Sequence, residues 1–311
     1  MHWAVKAALQ AFIAKVPYGE DINYRLQVLN GSYKQDRPGS YARLDNYIDV
    51  ANSMALLLQK NGMEISGARL VEAGTGWQPF MPIYFALLGA SRVYTYDHVA
   101  HARLERAMIV LDRLDERAPD IAGTLGIPLD GLKRRRAGAD AANGMRGLFD
   151  SLGIVYKAPG DAGQTGLDDN SADLFFTHAV LEHMPTEVVV NVTREACRTL
   201  RPGGFYYNVI GLHDHYVTFD RKITKVNFLK YSGAAWSALA QNKISYLNRL
   251  RYPDYVRIIK DAGFEIVDAV TEVNGPSLAA IKAGMKLDAS FKAYAPEELA
   301  ITRAEVLARK R

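Results

Sequence analysis

The alternation of short apolar runs with amphipathic segments after residue 67 is the feature that most constrains the fold. The run ARLVEA precedes a glycine turn, PFMPIYFALLG has helical character and ends at Gly89, and RVYTYD again has the character of a strand. A strand, helix, strand order predicts parallel strands with right-handed crossovers. Sheets of this kind bind ligands beyond the carboxyl ends of their strands. We therefore expect an α/β fold with a ligand near the first turn.

The same alternation continues towards the C terminus. The pattern predicts a helix over residues 99–117, a glycine-rich charged insertion to about residue 143, and a helix near residues 145–152. It then predicts the strands IVYKA, ADLFFTH and FYYNVIGL, a helix in VVVNVTREACRTL, and a closing strand in LAITRAEVLARKR.

Residues 1–62 are predicted to form an N-terminal helical cap. Apolar residues recur at helical spacing in VKAALQAFIAKV and in YIDVANSMALLLQKNG, where Gly62 is a natural stop. The segment GSYKQDRPGSYARLD between them has the composition of a loop. We assign residues 63–311 to a single α/β domain.

Composition limits the classes of protein to which the chain can belong. The 311 residues are 49% hydrophobic and 23% charged, which is typical of a globular protein, and no apolar stretch approaches the roughly 20 residues of a membrane span. The lone Cys197 excludes an internal disulfide and multi-cysteine zinc motifs, so we expect a cytoplasmic protein. The net charge of +4 is too small to favour nucleic acid, and the run Lys133–Arg136 is interpreted as solvated surface.

The turn VEAGTGWQPF excludes several nucleotide ligands. Gly74 and Gly76 allow close approach of a ligand to the backbone, but no Lys-Ser or Lys-Thr follows as a phosphate-binding P-loop requires. Pro79 stands where a dinucleotide turn has its third glycine. Glu72 would be unfavourable beside a pyrophosphate and suits a cationic ligand better.

S-adenosylmethionine is such a ligand, because it carries a sulfonium and an ammonium group and no phosphate. A ribose needs a second acid after the next strand, and Asp97 closes RVYTYD about 20 residues after the glycines. A glycine turn that merely joins a strand to a helix would look the same, so this pattern alone leaves both interpretations open.

Three downstream motifs resemble those of class I S-adenosylmethionine-dependent methyltransferases, in particular the small-molecule group called methyltransferase type 11. They are Gly160-Asp161-Ala162, Val180-Leu181-Glu182-His183 and Leu200-Arg201-Pro202-Gly203-Gly204, in the order of that family. The resemblance covers about residues 68–212. It implies a Rossmann-like fold, with a seven-stranded, mostly parallel sheet and helices on both faces.

The resemblance also implies a set of residues that bind S-adenosylmethionine. The set comprises Glu72, Gly74 and Gly76 around the methionine moiety, Asp97 at the ribose, and Asp161 with Ala162 at the adenine. Thr75, His98 and His178 are also predicted to bind the cofactor. Gln78 departs from the family, in which many members have a third glycine at this position.

The acceptor is expected to lie beneath the N-terminal helices and an aromatic-rich insertion over residues 213–250. Candidate catalytic bases are His213 and His215, which follow the fifth strand, and His183, because histidine titrates near neutral pH. Asp214 would supply a nearby charge. His178, Glu182 and His183 could also approach one another at the start of a helix and bind a divalent ion, but a helix start without metal is the better interpretation, so we predict no metal ligand.

These patterns predict an enzyme that transfers a methyl group from S-adenosylmethionine to a small molecule, with a hydroxyl of a sugar or secondary metabolite as the expected acceptor. An RNA methyltransferase and a non-catalytic S-adenosylmethionine-binding protein are the alternatives. We expect no membrane partner, disfavour a nucleic-acid partner, and regard a homodimer as compatible with the sequence.

Overall fold

The computed structural model describes residues 2–16, 22, 25, 41–242 and 245–311 of the chain. Most of the predicted loop over residues 31–45 lies outside this range. The chain forms two compact units. The first unit comprises Gly31–Phe176 and Arg198–Gly204, and the second comprises Met1–Asn30, Thr177–Cys197 and Phe205–Arg311.

The N-terminal half of the chain contains the first three strands. Its helices and strands are α1 (Trp3–Ile13), α2 (Ala42–Lys60), β1 (Arg69–Ala73), α3 (Phe80–Leu87), β2 (Arg92–Tyr96), α4 (Leu104–Glu116), α5 (Ala118–Leu125), α6 (Leu129–Ala137), α7 (Gly144–Ser151) and β3 (Ile154–Lys157).

The C-terminal half contains four strands and several short helices. Its elements are β4 (Ala172–His178), α8 (Thr186–Thr199), β5 (Leu200–Gly211), α9 (Gly233–Ala240), α10 (Tyr252–Asp261), β6 (Phe264–Val273), α11 (Gly275–Lys282), α12 (Pro296–Leu299) and β7 (Ile301–Lys310). Short 3-10 helices occur at Leu181–His183, His215–Thr218, Asn227–Lys230 and Ala289–Phe291.

The seven strands form one sheet in the order β3-β2-β1-β4-β5-β7-β6. β1 pairs in parallel with β2, which pairs in parallel with β3, whereas β7 runs antiparallel to both β5 and β6. This mixed, mostly parallel sheet with its crossover helices confirms the predicted fold class.

The predicted glycine-rich insertion before residue 143 is wrong, because most of it folds into the helices α5 and α6. Gly126 adopts the left-handed conformation (φ 65°) that ends α5, and Pro128 precedes α6. Leu125 and Leu132 are both buried. Glycines inside the two helices, Gly123 and Gly131, weaken the sequence signal for them.

In the second unit, α1 packs on residues of the predicted insertion over 213–250. Trp3 stacks on Trp236, with 6.1 Å between ring centroids, and lies 5.7 Å from Tyr216. The Trp3 N–H donates to Asp220 Oδ2 at 3.1 Å. An aromatic core thus joins the N-terminal helix to this segment.

Within the described ranges, no helix is both long enough and apolar enough to cross a lipid bilayer.

Candidate functional site

The turn after β1 takes a backbone form that favours glycine at two positions. Gly74 and Gly76 have φ values of 91° and 65°. The Gly74 N–H donates to the carbonyl of Tyr96 at 2.7 Å, which extends the pairing of β1 with β2 into the turn. A Cβ added at Gly76 would meet no described atom within 4 Å. The turn is therefore fixed at its base and open on the side where a ligand would lie.

Glu72 lies at the end of β1, directly beside Thr95 of β2 in the strand register. It is 3% exposed, and its Oε2 accepts a hydrogen bond from the Thr95 hydroxyl. The pKa of Glu72 is raised to about 8, chiefly by burial; the hydrogen bond from Thr95 opposes this shift, and the charge of Asp97 contributes to it. Two neighbouring acids beside an open glycine turn favour a cationic ligand, as the S-adenosylmethionine hypothesis requires.

Asp97, which follows β2, stabilises the glycine turn through a hydrogen bond. Its Oδ2 accepts the Gly76 N–H at 2.8 Å, and its Oδ1 lies 3.1 Å from His98 Nδ1. Burial alone would raise the pKa of Asp97, but the hydrogen bonds from His98 and Gly76 and the charge of His101 lower it. Asp97 is thus an ionised acceptor at the predicted ribose position, and it also fixes the shape of the turn.

Gln78 is a residue whose role the sequence pattern did not reveal. Both polar atoms of its amide are buried, and neither has a hydrogen-bond partner among the described residues. Burying an amide without hydrogen bonds costs free energy unless a polar ligand supplies the missing partners. Next to it, Trp77 stacks against His101 at 4.2 Å between centroids, and Arg103 lies over the same ring. The only sequence signal was that glutamine replaces a glycine of the family.

The predicted adenine-binding residues follow β3. Asp161 is exposed and its Oδ1 accepts the Gly163 N–H at 2.7 Å, while Ala162 is buried. The Gly160 N–H donates to the Asp97 carbonyl at 2.8 Å, and a Cβ on Gly160 would lie 2.5 Å from the carbonyl oxygen of Lys157. The absence of a Cβ therefore allows Gly160 to lie close to the end of β3.

The second unit brings together the three histidines that we predicted as catalytic. The His215 ring lies 5.0 Å from that of His183 and 4.8 Å from that of His213, measured between centroids. His183 belongs to the turn after β4, and the other two follow β5, which is the neighbouring strand. Their proximity results from strand pairing and could not be read from sequence spacing.

These histidines are poor proton acceptors to different degrees. Burial, with the charges of His183 and His213, lowers the pKa of His215 to about 3, and burial also lowers the pKa of His213. Asp214, predicted as a charge partner, instead caps the 3-10 helix, because its Oδ1 accepts the Tyr216 N–H at 2.9 Å. Burial raises the pKa of Asp214 to about 6.

Glu182 is the acidic member of this group, and His178 lies at the end of β4. Glu182 is 2% exposed, and burial raises its pKa to about 8. Burial lowers the pKa of His178 to about 4, with Arg303 adding to the effect. His178 is the last residue of the strand and not the start of a helix, so His178, Glu182 and His183 do not share the helical turn on which the disfavoured metal alternative depended.

Comparisons with known proteins identify a domain within the chain. Residues 125–208 match a family model described as a methyltransferase domain, which confirms the resemblance predicted from the sequence. The match includes the motifs at Asp161, Glu182 and Gly204, whereas the glycine turn and Asp97 precede it. The chain matches no curated protein.

Several solved structures have a similar fold. An S-adenosylmethionine-dependent methyltransferase from Mesorhizobium loti is 17% identical with a TM-score of 0.45, covering 85% of this chain and 100% of its own. One from Methanosarcina mazei is 15% identical with a TM-score of 0.46, covering 82% and 96%. Magnesium protoporphyrin IX methyltransferase from Synechocystis PCC 6803 is 15% identical with a TM-score of 0.44, covering 85% and 84%. Similarity at this level of identity gives no information about the methyl acceptor of this chain.

Proposed function

We propose that this chain, a class I S-adenosylmethionine-dependent methyltransferase, methylates a hydroxyl group of a small molecule such as a sugar or secondary metabolite. The observation that carries the proposal is the open glycine turn between the buried acid Glu72 and the ionised Asp97. When bound, S-adenosylmethionine supplies an electrophilic methyl group.

The residues around the turn fit this cofactor by their chemistry. Glu72 would accept from the ammonium group of the methionine moiety, and the amide of Gln78 would complete its hydrogen bonds with the same polar end. Asp97 would accept from the ribose hydroxyls, with His98 beside it. The exposed carboxylate of Asp161 and the backbone N–H of Ala162 have the acceptor and donor that an adenine edge needs.

His213 is our candidate for the base that receives the proton of the acceptor hydroxyl. Burial lowers the pKa of His213, and the nearby Thr302 carbonyl opposes this shift, so the ring is neutral near pH 7 and keeps a nitrogen lone pair. His215 is the weaker candidate, because a pKa of about 3 leaves it little affinity for a proton.

The RNA alternative has less support, since Arg136 forms an ion pair with Asp112 at 3.0 Å and Arg135 reaches the Leu87 carbonyl. These contacts occupy two of the four basic residues in that run.

The proposal is tested by incubating the protein and S-adenosylmethionine with a panel of free and nucleotide-linked sugars, phenolic and alcoholic metabolites, and a mixed RNA. We expect release of S-adenosylhomocysteine and a product heavier by one methylene with a hydroxylated small molecule, and less of both with Asp97→Ala at a cofactor concentration below saturation. Methylation of RNA alone would contradict the acceptor class. Cofactor binding without turnover on any member of the panel would instead support the non-catalytic alternative.

A further inference from the structure

We propose that Glu182, His183 and His215 bind one borderline divalent metal ion, with Zn²⁺ as the representative. One ligand atom from each of these residues lies within 4.8 Å of the other two. All three residues belong to the second unit. The proposal does not depend on the proposed methyl transfer, because its test measures bound metal.

The chain reaches this arrangement through a sharp turn after β4. Ala179 adopts a left-handed conformation (φ 55°), which is strained for a residue with a Cβ, and its N–H donates to the Val209 carbonyl at 2.8 Å. The 3-10 turn Leu181–His183 follows at once. The Asn248 side chain donates to carbonyls on both sides of this turn, at 2.8 and 2.9 Å. The backbone that carries Glu182 and His183 is therefore held rigidly.

The carboxyl group of Glu182 has one oxygen that lacks a partner. Its Oε1 accepts the Gly211 N–H at 2.9 Å, whereas its buried Oε2 has no hydrogen-bond partner in the described part of the chain. Leaving such an oxygen unsatisfied is unfavourable, and a bound cation would both satisfy it and compensate the charge of the carboxylate.

Gly211 leaves the space that the ligand atoms share. A Cβ at this position would lie 2.6 Å from Glu182 Oε1 and 3.8 Å from His215 Nε2. The glycine at the end of β5 thus allows the carboxylate of Glu182 and the imidazole of His215, from the turns after two neighbouring strands, to approach the same point.

The imidazoles of His183 and His215 can each present a nitrogen lone pair to a metal ion. His183 Nδ1 lies 2.9 Å from the Tyr246 carbonyl, which can only accept, so Nδ1 carries the hydrogen and Nε2 has a free lone pair. Histidine ligands in metal sites are commonly oriented by such a hydrogen bond from the other ring nitrogen. His215 is half-buried, and the neutral imidazole is the form that coordinates metals.

The donor set selects the class of metal. Two imidazole nitrogens with one carboxylate suit zinc and its neighbours, whereas Mg²⁺ and Ca²⁺ prefer oxygen ligands. With metal–ligand bonds of about 2.1 Å, the ligands of a tetrahedral ion lie about 3.4 Å apart, so side-chain rotation of about an ångström would close the site. Three protein ligands leave one position open, as in catalytic zinc sites.

A second group of this type, Asp97, His98 and His101, lies in the first unit. Its carboxylate already accepts the Gly76 N–H and lies against His98, so its oxygens have partners before any ion binds. This difference favours the site at Glu182 and makes His101 the matched control position.

The test uses full-length, tag-free protein stripped with a chelator and titrated with Zn²⁺ by calorimetry, with bound metal counted by elemental analysis after desalting. We expect one Zn²⁺ per chain in the wild type and in His101→Ala. Glu182→Gln and His215→Ala should each weaken binding at least about tenfold, as loss of a ligand does. The amide oxygen that Glu182→Gln introduces can still accept the Gly211 N–H, so this variant should fold, and circular dichroism would check that it does.

Substitution of Co²⁺ for Zn²⁺ gives a second measurement that does not depend on affinity. The visible bands of a tetrahedral site with nitrogen and oxygen ligands should appear in the wild type and be lost in His215→Ala. The proposal would be overturned by absence of Zn²⁺ binding in the wild type, by unchanged binding in both Glu182→Gln and His215→Ala, or by loss of the ion in His101→Ala alone.

Discussion

Binding of S-adenosylmethionine should release a proton from Glu72, and the substitution Glu72→Gln should abolish that release. The free protein holds this carboxyl in a buried position with a pKa of about 8, against an ordinary value of 4.5. At pH 6.5 the protonated form therefore outnumbers the ionised form by roughly 30 to 1. A cationic ligand favours the ionised form, so the bound carboxyl loses its proton.

The magnitude follows from these two pKa values. If the cation restores the pKa of Glu72 to near 4.5, binding at pH 6.5 releases about one proton per ligand. Below a pH of about 8 the proton competes with the ligand, so the association constant should rise by up to about tenfold per pH unit from pH 5 towards pH 7. The α-ammonium group of the ligand, with a pKa near 8, stays protonated in this range.

Calorimetric titration at pH 6.5 in buffers with different ionisation enthalpies measures the proton count as the slope of the observed enthalpy. We expect a slope near one for the wild type and for the control Glu105→Gln, which changes an exposed acid of α4. Glu72→Gln should give a slope near zero and an affinity that hardly varies with pH. A wild-type slope of zero would refute the reasoning about the charge of this acid.

Three further predictions concern the turn, the base and the aromatic core. Asp97→Ala should weaken cofactor binding by about 1–3 kcal/mol, measured by calorimetry, because both the ribose and the Gly76 N–H lose an acceptor; unchanged affinity would refute this placement. His213→Ala should lower kcat about 10²–10⁴-fold in steady-state assays without changing cofactor affinity, as expected for loss of a general base, whereas wild-type kcat would exclude that role. Trp236→Ala should lower the free energy of unfolding in urea by about 3–5 kcal/mol, since this fully buried ring packs against Trp3, and a change below about 1 kcal/mol would show that the core is not built around it.

The local pattern of the sequence was sufficient to predict the first strand, turn and helix. Gly74 and Gly76 follow an apolar run and precede a helical one, and the structure places them in left-handed conformations at the end of β1. By contrast, α5 and α6 escaped prediction, because Gly123 and Gly131 lie inside these short helices, which owe their stability to packing.

The grouping of Glu182 with His183 and His215 could not be predicted from spacing. It depends on which strands are neighbours, on the left-handed turn at Ala179, and on the absence of a Cβ at Gly211. The hydrogen bond from the Gly76 N–H to Asp97 could not be predicted either. The sequence pattern indicates an acid that could bind a ribose, but it does not indicate that the same carboxylate stabilises the glycine turn. Such long-range contacts are set by tertiary structure.

The central claim, that the acid-flanked glycine turn binds S-adenosylmethionine, is tested most directly by an experimental structure of the chain with this cofactor bound. We predict that the ammonium group of the methionine moiety lies at Glu72, the ribose at Asp97 and the adenine at Asp161 and Ala162. A cofactor bound away from these residues, or a phosphate-bearing nucleotide bound in its place at the turn, would contradict the account.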